Sequence, residues 1–416
     1  MRVTALLLAL LSPAAWAAEE SAMNAADVSW MMVATTLVLF MTIPGIALFY
    51  AGMVRKKNVL SVVMQSFAIC CSITIVWYVC GYSLAFTEGN FFIGGFDKVF
   101  LHGIGINTMQ GSIPEMLFMM FQMTFAILTP ALMCGAFAER MKFSALFLFM
   151  VLWSLFCYVP ICHWVWGPDG WLAAAGALDY AGGTVVHINA GVAGLVACLM
   201  LGKRIGYGKE AMAPHNLILA MVGACFLWIG WFGFNGGSGL AADGRAVMAI
   251  VVSQIAAAAA ALIWMACEYV ENKRFTVLGA ISGAVAGLVA ITPHQALLNR
   301  HALFIGLCGG FICYFGPTRL KHWLGYDDLW MPSACGVGGI VVPSRPVCLL
   351  PSDYGLCDEA VLEQVWVQTK ALSPPHLRID CYYVLLKLVD VMIGIRVSAE
   401  EERMGLDLSL HGERVE

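Results

Sequence analysis

Apolar residues in this chain fall in long unbroken runs, bounded by short polar connections. Runs stand at about 28–50, 60–84, 114–137, 144–166, 180–202, 214–233, 245–270, 275–292, 300–317, 333–350 and 380–397. Crossing ~30 Å of hydrocarbon takes ~20 residues of helix. Segments apolar on every side at that length read as spanning helices and not as half-buried ones. The fold class expected is therefore an all-α polytopic membrane protein with eleven transmembrane helices. The last two runs are weak, because Pro343, Pro346, Pro351, Pro374 and Pro375, with Arg345 and Arg378, fall in or beside them. Proline removes a helix donor, and charge in a span is costly.

Basic residues test the count. Arg55-Lys56-Lys57, Arg140 with Lys142, Lys203-Arg204 with Lys209, Lys273-Arg274, and Arg319 with Lys321 follow the first, third, fifth, seventh and ninth runs. The alternate loops 86–113, 167–179 and 234–244 hold few. Positive loops stay in the cytoplasm, so the N-terminus is expected outside (periplasmic) and the C-terminus inside, in an inner membrane. The first residues agree. Arg2, the apolar run Val3 to Leu11 and the small residues Ala15-Trp16-Ala17 read as a signal peptide over 1–17; the alternative is a retained apolar leader. Residues 18–397 then form the membrane domain, and 398–416 a cytoplasmic tail.

Of the 416 residues, 60% are hydrophobic and 12% charged, with mean hydropathy +0.80, which excludes an ordinary soluble domain. Net charge is −4 with no basic patch, so nucleic acid is not an expected partner. The 15 cysteines lie mostly in apolar runs without metal-ligand spacing and read as small packing residues. No metal, cofactor or catalytic residue is expected, and no HExxH or GxSxG arrangement supports a membrane enzyme.

Polar residues inside the runs carry the candidate chemistry. Asp179 and His187 stand eight residues apart in the fifth run, which places both near one helical face. His187 is either a buried histidine bonded to a neighbouring span or a pore-lining imidazole for a small polar solute. Asp179 is also suited to capping the free N–H groups of that helix. His163, His294, His301 and His322 lie at run ends or in loops and read as surface or interfacial. Phe121 and Phe125 share a face. Trp164, Trp166 and Trp171 crowd the end of the fourth run, and Trp228, Trp231, Phe232 and Phe234 precede Asn235-Gly236-Gly237-Ser238. Such aromatics form either an interfacial belt or a cation site worth ~1–2 kcal/mol per ring. The Gly-rich stretch at 186–194 faintly echoes Cys335-Gly336-Val337-Gly338-Gly339-Ile340, which suggests an inverted repeat of spans 1–5 and 6–10.

Several of these stretches resemble one family. Asp179-Tyr180-Ala181-Gly182-Gly183-Thr184-Val185-Val186-His187-Ile188-Asn189-Ala190-Gly191, Pro44 to Arg55, Gly135 to Arg140, and Gly230 to Ser238 are similar to motifs of the ammonium transporter family (Amt/Mep/Rh). They occur in family order over about 28–328, and the likeness returns at 384–416. The resemblance implies a homotrimer of eleven-helix subunits in lipid, each with its own pore for ammonium or ammonia. It implies substrate recruitment at Phe121, Trp166 and Ser238, a gate of Phe125 and Phe234, and a vestibule carboxylate at Asp179. It makes His187 the first of two pore histidines. It also implies that a PII-type signal protein acts on the tail at 396–407.

The chain departs from that pattern at Cys335, where the family has its second pore histidine. A nucleotide string for Leu329-Trp330-Met331-Pro332-Ser333-Ala334-Cys335 encodes, in another frame, a sequence of the family type ending in histidine. On that reading 329–335, about 342–362 and about 372–383 are frame-shifted, leaving 329–383 partly aberrant. Weak or absent transport by the literal chain follows. The remaining alternatives are a sensor of the same fold or a non-functional copy.

Overall fold

A computed structural model of the chain describes residues 23–293, 301–329, 335, 336, 338 and 375–415. Eight described helices are long and apolar enough to cross a membrane. They are α1 (Ala25–Met53), α2 (Lys56–Phe86), α3 (Glu115–Phe137), α4 (Phe143–Ala174, with a turn at 167–170), α5 (Gly183–Leu201), α6 (Leu217–Gly237), α7 (Gly244–Asn272) and α9 (Ala302–Leu324). The shorter apolar α8 (Val277–Ile291) lies between α7 and α9. These nine match the first nine apolar runs. The eleventh run corresponds to α10 (Pro375–Ile393), which carries Arg378, Asp380, Lys387 and Asp390. Proline at a helix's first position has no intrahelical donor to lose, so Pro375 opens α10 where the sequence suggested a break. The tenth run, the signal peptide and most of the frame-shift patches lie outside the described residues; Cys335, Gly336 and Gly338 are helical.

Helix starts follow side-chain capping. Asn24, Asn216, Asp243 and Thr276 accept from free N–H groups of α1, α6, α7 and α8. Two expectations change. Arg319 and Lys321, read as loop residues, belong to the last turns of α9, which ends at Gly325 (φ +66°). Arg319 lies over the Phe315 ring and Lys321 pairs with Asp328 at 2.6 Å, so long side chains carry their charge to the helix end. His163 is fully buried, because the 87–95 loop folds over the end of α4. Its Nδ1 and Nε2 each lie 2.9 Å from a carbonyl, of Ala85 and Asn90. His301 is half-buried before α9 and His322 exposed; His294 lies outside the described residues.

Small residues set the helix spacing. On α7, Ala256 and Ala260 face Gly287 of α8 and Gly306 and Gly310 of α9; a Cβ on Gly287 would stand 2.4 Å from the Ala256 carbonyl oxygen. Backbones in such contact gain dispersion energy that lipid cannot match. Gly287→Val is expected to lower stability by roughly 1–3 kcal/mol by overpacking, read as a fall in Tm of the protein in detergent; an unchanged Tm would refute the contact.

One end of the bundle gathers the basic residues. Glu139, between α3 and α4, pairs with Arg55 at 3.0 Å and Arg204 at 2.6 Å; Arg204 also pairs with Asp327 at 2.7 Å. Arg140 donates to the carbonyls of Gly202 and Ala136 at 2.9 and 2.7 Å. Arg140 and Arg204, read from sequence as loop charges, are thus buried. The tail, with α11 (Ala399–Met404) and α12 (Leu406–His411), docks on this face. Arg396 donates to Leu201 and Glu402, and Asp407 accepts from the Ser61 amide at 2.7 Å, at the start of α2.

Candidate functional site

The site starts from how α5 begins. Gly182 takes φ +108°, where a Cβ would collide with Val186, and a Cβ on Gly183 would collide with Pro293. These glycines let the chain turn sharply into a widened helical turn over Gly183–Ile188. Four amides at that turn point at one carboxylate. Asp179 Oδ1 accepts from Gly182 and Gly183 at 2.7 and 2.5 Å, and Oδ2 from Thr184 and Val185 at 2.8 and 3.0 Å. Asp179 therefore stands before the helix and caps it. The expectation that it shares a helical face with His187 is corrected: its oxygens are turned into the backbone of α5. Its carbonyl also accepts from Trp166 Nε1 at 2.8 Å, fixing that ring.

His187 lies at the inner side of the turn and is fully buried. Neither Nδ1 nor Nε2 has a hydrogen-bond partner among the described residues. Its ring stacks on Trp231 at 5.3 Å and 11°, and lies 5.8 Å from Phe234. Trp231 is held in turn: its Nε1 donates to Thr292 Oγ1 at 2.9 Å. Nearby, Asn235 donates to Ser253 at 2.7 Å. Next to the imidazole come the rings of Phe125 and Phe234, 4.4 Å apart and 32° from parallel.

Beyond those two rings an open cavity of about 360 Å³ faces the end of the bundle away from the basic residues. Phe125, Trp166 and Ser238 line it, with Phe86, Gln122 and Tyr180. The Gln122 Oε1 and Tyr180 hydroxyl have no partner among the described residues, and Ser238 donates to the Phe234 carbonyl at 2.8 Å, leaving its oxygen lone pairs to accept. Trp166 stands edge-on to Phe125 at 5.8 Å. Phe121 is buried behind Phe125, its ring filling the space left by Gly237, and does not line the cavity. Cys335 is buried, and Gly336 approaches Gly191, one turn past His187 on α5.

The structure thus brings together Phe125, Trp166 and Ser238 at the cavity, with Phe234 against Phe125 and His187 against Phe234, and Asp179 holding the turn beside them. Sequence reasoning placed Trp231 only among the rings of an interfacial belt or cation site, and gave no role to Gln122 or Tyr180. The spacing held a signal: Trp231 stands three residues before Phe234, and Gln122 three before Phe125, which puts each on its partner's helical face. An open cavity with oxygen acceptors and ring faces can hold a small cation that donates hydrogen bonds. A buried imidazole whose two nitrogens have no partner among the described residues can bond a small neutral solute.

A family model described as Ammonium Transporter Family matches residues 29–416. The chain is 45% identical over 404 residues to an ammonium transporter of Bacillus subtilis, covering 94% of this chain and 98% of that one. It is 43% identical over 418 residues to an ammonium transporter of Aquifex aeolicus, covering 98% and 97%. Among solved structures, Candida albicans Mep2 superposes with TM-score 0.82 at 33% identity, covering 91% of this chain and 88% of that one. A structure described as a sensor Amt protein superposes with TM-score 0.85 at 27% identity, covering 93% and 98%.

Proposed function

The chain belongs to the Ammonium Transporter Family, and from that membership we propose that it conducts ammonia derived from ammonium across an inner membrane. The buried imidazole of His187, without a hydrogen-bond partner among the described residues and beside the Phe125–Phe234 pair, carries this reading.

Ammonium enters the cavity and donates hydrogen bonds to Ser238, Gln122 and Tyr180, with the faces of Phe125 and Trp166 supplying ~1–2 kcal/mol each. Phe121 supports Phe125 from behind. Carrying the bare cation further costs several kcal/mol or more. Ammonium gives its proton to water in the open cavity, and the neutral ammonia goes on without that cost. The two rings, 4.4 Å apart, swing to let ammonia pass, and His187 then bonds it. Trp231 holds the ring plane of His187 by stacking, and Asp179 holds the turn that delivers His187 to the passage.

The subunit acts in a homotrimer, with its N-terminus periplasmic and its docked tail cytoplasmic, where a PII-type protein binds. The inverted repeat of spans 1–5 and 6–10 accounts for the similar approach of Gly191 and Gly336. Cys335 favours a second reading, a sensor or non-conducting copy, since its thiol supplies no second imidazole.

Labelled methylammonium uptake in a transport-deficient host tests both. The literal chain is expected to give weak uptake. Cys335→His raises it, and His187→Ala in that background returns it to the empty-host level. Uptake that survives His187→Ala unchanged refutes the pore; strong uptake by the literal chain refutes the non-conducting copy.

A further inference from the structure

Away from the pore, two thiols from distant parts of the sequence meet between α4 and α10. Cys157 Sγ lies 3.2 Å from Cys381 Sγ, across 224 residues. Cys157 sits on the widened turn Ser154–Tyr158 in the middle of α4 and is buried; Cys381 is half-buried near the start of α10. Both are thiols in the structure. They line a mostly apolar cavity of about 400 Å³ with Phe156, Pro160, Ile161 and Val384, Asp380 being its one carboxylate among the described residues. Phe156 and Val384 are each 60% exposed, so the cavity opens on the bundle's outer surface, the side that meets lipid.

We propose that Cys157 and Cys381 form a reversible disulfide that fixes α10 against α4, with a lipid-soluble quinone as oxidant. A disulfide needs S–S of ~2.05 Å, so the sulfurs must close by about 1 Å, a change within reach of side-chain rotation. The balance is simple. Each thiol gives up its proton and one electron, one S–S bond forms, and the quinone takes both protons and both electrons to become a quinol. A membrane quinone suits the cavity because it partitions into apolar surroundings, whereas a charged peptide thiol does not. Reduction by a dithiol reverses the step.

The placement gives the bond a consequence. The next residue, Tyr382, donates to Asn189 Oδ1 at 2.6 Å, and Asn189 follows His187 by two residues on α5. The far end of α10 leads into the docked tail, where Lys142 donates from its amide to Ile395 at 3.0 Å. A disulfide at 157–381 therefore pins one helix that touches both the pore wall and the tail. The plainer alternative is a thiol–thiol packing contact that never oxidises.

Full-length protein in membrane vesicles, treated with decylubiquinone and then alkylated and digested without reductant, decides between them. The expected result is a linked peptide pair joining 157 to 381 in most of the protein. It is lost with dithiothreitol and absent in Cys381→Ser, and it comes with a rise of a few degrees in Tm that Cys381→Ser does not show. Alkylation of both thiols with no linked pair, while the protein stays monodisperse, overturns the proposal. So does a linkage of either cysteine only to another partner. Neither readout depends on transport, so failure of the transport reading leaves this test intact.

Discussion

Asp179→Ala will leave little folded protein, and Asp179→Asn will not rescue it. The carboxylate is the acceptor for four buried amides, those of Gly182, Gly183, Thr184 and Val185. Each buried donor left without a partner costs ~1–3 kcal/mol, so alanine removes at least ~4 kcal/mol from a protein whose whole margin is of order 5–15 kcal/mol. Asparagine keeps one oxygen for one pair of amides but turns its NH₂ donors toward the other pair. The check is the yield of monodisperse protein in detergent together with its Tm. Parent-like values for Asp179→Ala would mean the amides find other partners and the cap is dispensable.

Removing Arg204 has the next largest effect. Its guanidinium pairs with Glu139 and Asp327, both carboxylates being fully buried. Breaking a buried pair by deleting one partner costs ~3–5 kcal/mol, because the other charge stays buried alone. Burial pushes the Glu139 carboxyl up, but Arg204 and Arg55 outweigh it and hold the group below its ordinary value. Asp327 behaves alike, burial opposing and Arg204 prevailing. Arg204 is itself raised: burial works against its charge, and Asp327 and Glu139 overcome it. Two depressed carboxyls give stability that is fully present above the unfolded value near ~4 and is lost as pH falls through the folded value. The parent is therefore expected to lose Tm below about pH 4–5. In Arg204→Met, Asp327 loses its ion pair and Glu139 keeps only Arg55, so the carboxyls gain from protonation instead. The deficit of the variant is then widest at neutral pH and narrows toward pH 4. A pH-independent deficit, or none, would show that the network is not an ion-pair lattice.

The nine apolar helices were legible because continuous hydrophobicity needs no partner to be interpreted: lipid is the partner, and length alone sets the span. Boundaries were less so. The end of α9 ran past Pro317 into Arg319 and Lys321, since long basic side chains reach the interface from within a helix. His163 misread as interfacial shows the same limit, because burial by the 87–95 loop depends on a connection whose path the sequence does not give.

The site divides the same way. Phe125, Phe234, Trp166, Ser238 and His187 could be picked out as residue types in recognisable stretches, as rings, a hydroxyl and an intramembrane imidazole are each unusual where they stand. Their meeting in one place could not, since they come from α3, α4, α5 and the end of α6, and only packing fixes which side chains meet. Asp179 was assigned both a cap and a vestibule role, and the direction of its two oxygens depends on the sharp turn at Gly182-Gly183. Arg140 and Arg204 counted as topology charges in a linear reading; burying Arg204 required Glu139 and Asp327 to arrive from connections far away in sequence, and burying Arg140 required the Gly202 carbonyl beyond the end of α5. Hydrophobicity and charge are properties of single residues and survive in the string, so they settled the membrane spans and the candidate chemistry. Mutual distance, stacking and hydrogen-bond satisfaction are properties of pairs, and the folded bundle alone brings those pairs into contact.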